Sequence, residues 1–347
     1  MSYFNTARPI FTVAWAKNLD PVYETGNLPI ALGSPLVSEG VVYQGDDRGQ
    51  LWAIDIEDGR VLWKIEHPGH PLGASPVRFK DTLIYGSKDG RLFARHYITQ
   101  NLRFAVDLGS PIEGTPTVAK GRVLVNLRNH KLVVLDFETG KILWAYQRSV
   151  PFSTTLQGQS RPVVYGDKVF VGFADGYVGS FRLEDGTMAW EQKLSFASKF
   201  VDVDMTPLIH GNRLYIGSAA GTLFSVNLKN GRILDRTPFA VTRAPFVDGN
   251  KLLLGTVDGE LIQMASNGKV ERKAKVADGA ITNLIAWKKG YIVSTVKGFL
   301  YFVDKETFVP RDYFDFGSYA SSVFGKIFVE SDRLVVLSSR NRLYTFK

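Results

Sequence analysis

The stretch KLVVLDFETGKILW, residues 131–144, reads as one β-hairpin. Leu132, Val134 and Asp136 alternate with Val133, Leu135 and Phe137 in the manner of a strand. Glu138-Thr139-Gly140 supplies the turn, and Ile142-Leu143-Trp144 opens the return strand. Gly140 suits a turn position with positive φ, and Trp144 is a large apolar anchor. The same pattern recurs at Leu51-Trp52-Ala53-Ile54-Asp55 with Gly59 and Trp63, and at Val178-Gly179-Ser180-Phe181 with Gly186 and Trp190. Leu223-Phe224-Ser225-Val226-Asn227 with Gly231 is a weaker copy that lacks the tryptophan. Self-similarity at a regular spacing marks a structural array.

Counting outward from this hairpin yields eight units. A small residue and a proline open most of them: Ser34-Pro35, Ser75-Pro76, Thr115-Pro116, Ser160-Arg161-Pro162, Thr206-Pro207 and Arg243-Ala244-Pro245. Thr282-Asn283 and Ser321-Ser322 stand at the matching places of the last two. Taking positions 35, 76, 116, 162, 207, 245, 283 and 322, the spacings are 41, 40, 46, 45, 38, 38 and 39 residues. That is the length of a four-stranded propeller blade. Dense apolar runs such as Leu83-Ile84-Tyr85-Gly86 and Val169-Phe170-Val171-Gly172 imply strands covered on both faces. After Ser321 only three strands remain, at 326–330, 333–337 and 342–346. The fourth is expected from Phe11-Thr12-Val13-Ala14-Trp15, which removes an exposed edge. The expected fold is therefore all-β: an eight-bladed β-propeller of four-stranded antiparallel blades, its last blade closed by the N-terminal strand, with residues 1–347 as a single domain.

Composition narrows the function classes. The 347 residues are 45% hydrophobic and 22% charged, an ordinary globular balance with no linker-like break. The formal charge of +8 is scattered, and aromatic residues sit at core-like strand spacings, so nucleic acid is not expected as a partner. There is no cysteine, which excludes disulfides and thiolate metal sites, and no apolar run of the roughly 18 residues a membrane helix needs. His67-Pro68-Gly69-His70 brings two imidazoles close in sequence without an evident third ligand, and Gly86-Ser87-Lys88-Asp89-Gly90 reads as a hairpin turn rather than a phosphate cradle. No nucleophile, base and acid spacing emerges, so no enzymatic activity, cofactor or metal is expected.

The two long spacings locate additions to a near-constant scaffold. YQRSVPFSTTLQGQSR (146–161) and QKLSFASKFVDVDMT (192–206) both join a fourth strand to the next first strand, so they should lie side by side on one rim. Phe152 and Leu156 in the first, with Phe196 and Phe200 in the second, are apolar residues in otherwise polar segments. An extended Val201-Asp202-Val203-Asp204 turns both carboxylates to one face and both valines to the other. Paired acids of this kind engage Arg or Lys, or accept N–H groups, on a partner. They also serve to satisfy loop N–H groups, and the phenylalanines to pack on the scaffold; spacing leaves both readings open.

At these two connections the chain resembles a known family, the BamB propeller lipoproteins of the bacterial outer-membrane β-barrel assembly machinery, within the quinoprotein-like propellers. Leu156-Gln157-Gly158-Gln159-Ser160-Arg161-Pro162 is similar to that family's Leu-Arg-Gly-Glu-Ser-Ala-Pro, and 201–207 to its Asp-Val-Asp-Thr-Thr-Pro. The resemblance implies a non-catalytic scaffold at the periplasmic face of the outer membrane. It implies that the adjacent connections bind the periplasmic domains of the barrel-inserting subunit, with contact roles for Leu156, Asp202 and Asp204. Phe152 and Phe200 join them as candidate apolar anchors. Gln157 stands where the family has arginine, so a charged contact there departs from the pattern. Unfolded outer-membrane proteins are a second implied partner. Family members are lipidated on an N-terminal cysteine, so membrane contact is expected only through an anchor absent from this sequence. Two alternatives remain, a generic propeller that binds protein or glycan in its central funnel and a dehydrogenase using pyrroloquinoline quinone. The second is opposed by the lack of cysteine and of an acidic cluster on the first strands.

Overall fold

The computed structural model describes residues 9–19, 33–149, 160–194, 203, 205–218, 221–241, 243–317 and 321–347. Its strands form eight four-stranded antiparallel sheets, and among the described residues there is no helix. Seven sheets are meanders of consecutive strands, spanning 36–66, 77–107, 117–147, 163–193, 208–240, 246–275 and 281–315 and called blades 1 to 7 here. Blade 8 takes Phe328–Glu330, Arg333–Leu337 and Arg342–Phe346 from the C-terminal end and Val13–Asn18 from the N-terminal end. The protein is an eight-bladed β-propeller closed by pairing of its two ends, with Val13 opposite Phe346 and Asn18 opposite Arg342. The closing strand begins two residues later than the sequence suggests. Phe11 lies ahead of it as a buried side chain rather than within the ladder.

The chain gathers into two compact units. One comprises 1–46, 51–65 and 245–347, and holds blades 6, 7 and 8 with most of blade 1; the other comprises 47–50 and 66–244, and holds blades 2 to 5. Within the second unit, cores form between successive blades. Ile84, Leu92 and Phe104 meet Val123, Val133 and Phe137; Leu124 and Val134 meet Val169 and Phe181; Phe170 and Val178 meet Ile216 and Phe224. The first unit repeats this with Leu253 and Leu261 against Val293 and Val303, and with Ile292 and Leu300 against Leu334 and Val336. Second strands such as Thr82–Gly86 are buried along their whole length because each is sandwiched on both faces, which is why their sequence does not alternate.

The decisive hairpin folds as read. Lys131–Asp136 pairs with Ile142–Gln147, and Gly140 turns at φ 71°. A register shift falls just before the Trp144 position, and the fourth strands of seven blades share it. Such a bulge bends and twists an edge strand. Here it accompanies an indole that reaches the following blade: Trp144 Nε1 donates to Leu183 O at 3.0 Å, and its ring lies where a Cβ on Gly186 would come within 2.6 Å. Trp190 repeats the contact on Leu228 O at 3.1 Å, and Trp15 on Ile56 O at 2.8 Å. Between blades 6 and 7 the aromatic ring has changed sides. Phe308 occupies the hairpin's left-handed position at φ 56°, and the Arg272 guanidinium stacks 4.2 Å from its ring centroid.

Gly186→Ala tests this docking. It places a Cβ against the Trp144 ring on a residue with φ 76°. Backbone strain and overpacking together should cost on the order of 2–4 kcal/mol in denaturant unfolding. A loss below about 0.5 kcal/mol, the level of an inert surface change, would show that the ring does not need the bare backbone.

Candidate functional site

The candidate site is built on the ends of the two lengthened connections. The blade 3 to blade 4 connection departs after Gln147, and Arg148 is the first residue beyond the strand. Arg148 Nε donates to Asp175 Oδ2 at 2.5 Å, and its Nη1 to Glu191 Oε2 at 2.8 Å. Its guanidinium also lies 4.3 Å from the Tyr177 ring centroid and 5.2 Å from that of Phe173. Burial disfavours the charge, but hydrogen bonds to Glu191 and Asp175 outweigh it and raise the pKa above the usual arginine value. A nearly buried, doubly paired cation thus ties the exit of one connection to blade 4, which launches the other.

The returning ends meet as well. Ser160 Oγ accepts the Gly172 N–H at 3.1 Å and donates to Met205 O at 3.0 Å, so one hydroxyl joins the end of the first connection to the end of the second. Val203 N donates to Phe173 O at 3.0 Å, and its buried side chain packs among Phe170, Leu194 and Ile216. Gly172 is what lets it in, since a Cβ there would lie 2.2 Å from Val203 O. The expected valine face is therefore an inward face at Val203. The other residues singled out in sequence, Phe152, Leu156, Gln157, Phe196, Phe200, Asp202 and Asp204, lie outside the described residues. Sequence reading missed Arg148, Asp175, Glu191 and the Ser160 hydroxyl. Only the last carried a signal, as the small residue opening blade 4.

The two histidines near one another in sequence face different partners. His67 is buried, bonds Tyr85 Oη through Nε2 at 2.9 Å and stacks on Phe93 at 4.5 Å, whereas His70 Nδ1 meets Asp89 Oδ2 at 2.6 Å. Among the described residues no group of three or more His, Asp or Glu side chains is placed to hold a metal ion. Burial, with Arg95 and then His70 as nearby positive charge, lowers the His67 pKa from 6.5 to about 4. The folded state thus holds the neutral ring while the unfolded chain takes up a proton below 6.5. The contribution is complete above that pH and is lost as pH falls toward 4. Relative to His67→Gln, the native chain should lose on the order of 2 kcal/mol between pH 7 and 4, after allowance for solvent screening. Parallel denaturation profiles for the two proteins would contradict this.

Comparison with known proteins fits this geometry. The family model described as outer membrane protein assembly factor BamB matches residues 13–99 and 69–275, most of the array. The chain belongs to the BamB family. BamB of Shewanella oneidensis is 26% identical over 332 residues, covering 89% of this chain and 83% of the relative. BamB of Escherichia coli strain K12 is 22% identical over 313 residues, covering 85% and 79%. Among solved structures, BamB from Moraxella catarrhalis superposes with a TM-score of 0.80 at 17% identity, over 97% of this chain and all of that one. The quinohemoprotein alcohol dehydrogenase of Comamonas testosteroni reaches 0.71 at 12% identity, over 97% of this chain and 76% of that one. At such identities the superpositions establish the propeller fold alone, and a BamB protein and a dehydrogenase share it.

Proposed function

We propose that this BamB-family chain is a non-catalytic scaffold of the outer-membrane protein assembly machinery, working at the periplasmic face of that membrane. Its relatives are named as assembly factors. The observation that carries the reading is the Ser160 to Met205 hydrogen bond, which brings the ends of the two lengthened connections together on one rigid support. Side chains carried by both connections then act as one surface. Leu156, Phe152 and Phe200 would supply apolar anchors, Asp202 and Asp204 the acidic contacts, and Gln157 a neutral hydrogen-bonding group. The partner is the periplasmic portion of the barrel-inserting subunit. Fully desolvated apolar anchors dominate affinity in such interfaces, while charges set partner choice and encounter rate.

In this proposal residues 1–347 behave as a single domain, since the first unit takes its strands from both ends of the chain. Unfolded precursors would meet the partner rather than the outer blade edges. The register shifts on the fourth strands interrupt the flat ladder that strand addition needs. The deciding experiment is affinity capture from native outer membranes with the tagged chain. Recovery of the barrel-inserting subunit is the expected result. Its absence, with the propeller folded, overturns the reading.

A further inference from the structure

Arg161 stands at a place where the array uses small side chains. The residue ahead of the blade-opening proline is Ser34, Ser75, Thr115, Thr206 or Ala244 in other blades, and arginine only in blade 4. Its side chain crosses to blade 3, where Nε donates to Thr117 Oγ1 at 3.0 Å. The Thr117 hydroxyl donates in turn to Pro162 O at 2.6 Å, so the arginine is aimed by a bonded pair of blades. Among the described residues its terminal NH2 groups make no hydrogen bond and no carboxylate pairs with it. Burial alone acts on its pKa, lowering it. This is the reverse of Arg148, which has two carboxylates. Yet Arg161 is only partly buried, immediately beyond Ser160, where the first connection returns.

A guanidinium stripped of part of its water and given no counter-charge costs folding stability. Its planar fork matches a carboxylate bidentately, and low surrounding polarity strengthens that match. We propose that Arg161 is a carboxylate-binding residue, which takes an acidic side chain of the protein partner docking at the adjoining connection. This rests on the partner reading above and adds a cationic contact to the acidic and apolar ones. A charge-assisted pair at Arg161 then helps to fix the orientation of docking.

The test compares Arg161→Met and Arg161→Lys with the native chain, in melting temperature and in affinity for the periplasmic portion of the barrel-inserting subunit. Arg161→Met should melt about 2–4 °C higher, because the uncompensated charge is gone, and should bind about tenfold or more weakly. Arg161→Lys should not restore binding, since an ammonium lacks the fork. Unchanged affinity in Arg161→Met overturns the proposal. So does weaker binding accompanied by a lower melting temperature, which would make the arginine a structural residue. If the native chain binds no such partner, the function reading fails separately and succinate decides Arg161. At constant ionic strength succinate should raise the melting temperature of the native chain and leave Arg161→Met unmoved; an equal response in both overturns the site.

Discussion

Phe11→Ala should destabilise the protein by about 3–5 kcal/mol, the cost of emptying a buried aromatic site. Phe11 is 7% exposed and sits in an aromatic cluster, stacked 5.9 Å from Trp287 and edge-on to Phe346 at 5.6 Å. It precedes the strand that closes blade 8, so its loss weakens the contact that keeps the N-terminal strand against the C-terminal one. Asp312 holds the same segment by its backbone. Its Oδ2 accepts the N–H groups of Ile10 at 2.6 Å and Phe11 at 3.2 Å. Asp312 occupies the fourth-strand place that carries Trp144 in blade 3. In blade 8 the hairpin that an indole would dock on is replaced by the chain ends, where Lys347 N donates to Thr12 O. A carboxylate serves the loose N–H groups there better than a ring. Asp312→Ala leaves two of them unpaired and should cost about 2–4 kcal/mol. The double variant should lose less than the sum of the singles, because both act on one segment. Denaturant unfolding of the four proteins checks this, and strict additivity would show that the contacts are independent.

The combined replacement of Leu156, Asp202 and Asp204 by alanine should weaken partner binding by about a hundredfold or more, with the melting temperature unchanged. Truncating one buried anchor removes about 2 kcal/mol and two charged contacts add to it. The scaffold should not notice, because Arg148, Ser160 and Val203 tie down the ends of the connections. The roles separate kinetically. The aspartates should govern association, which raised salt slows, and Leu156 should govern dissociation, which salt leaves nearly alone. Equal affinity of the triple variant would move the partner surface elsewhere on the propeller, and association indifferent to salt would remove the aspartates from it.

What could be read from one sequence was whatever repeats or acts over a few residues. The turn at Gly140, the alternation of residues 132–137 and the small residue and proline that open most blades obey local rules, and their recurrence counts the blades. The lengths of the two connections were legible for the same reason, as departures from a constant period. Tertiary structure alone decided the partners. Arg148 reaches acids 27 and 43 residues away, and Asp312 binds N–H groups about 300 residues earlier in the chain. Neither pairing leaves a pattern in sequence, because blade stacking rather than chain proximity selects the neighbour. The offset at Phe11 has the same origin: an apolar residue beside a strand looks like part of it until the ladder shows that its ring fills a space between sheets. Periodicity thus specified the scaffold through backbone geometry. Which charged groups are neutralised, as Arg148 is, and which meet no carboxylate among the described residues, as Arg161, depended on the three-dimensional placement of side chains that no local rule encodes.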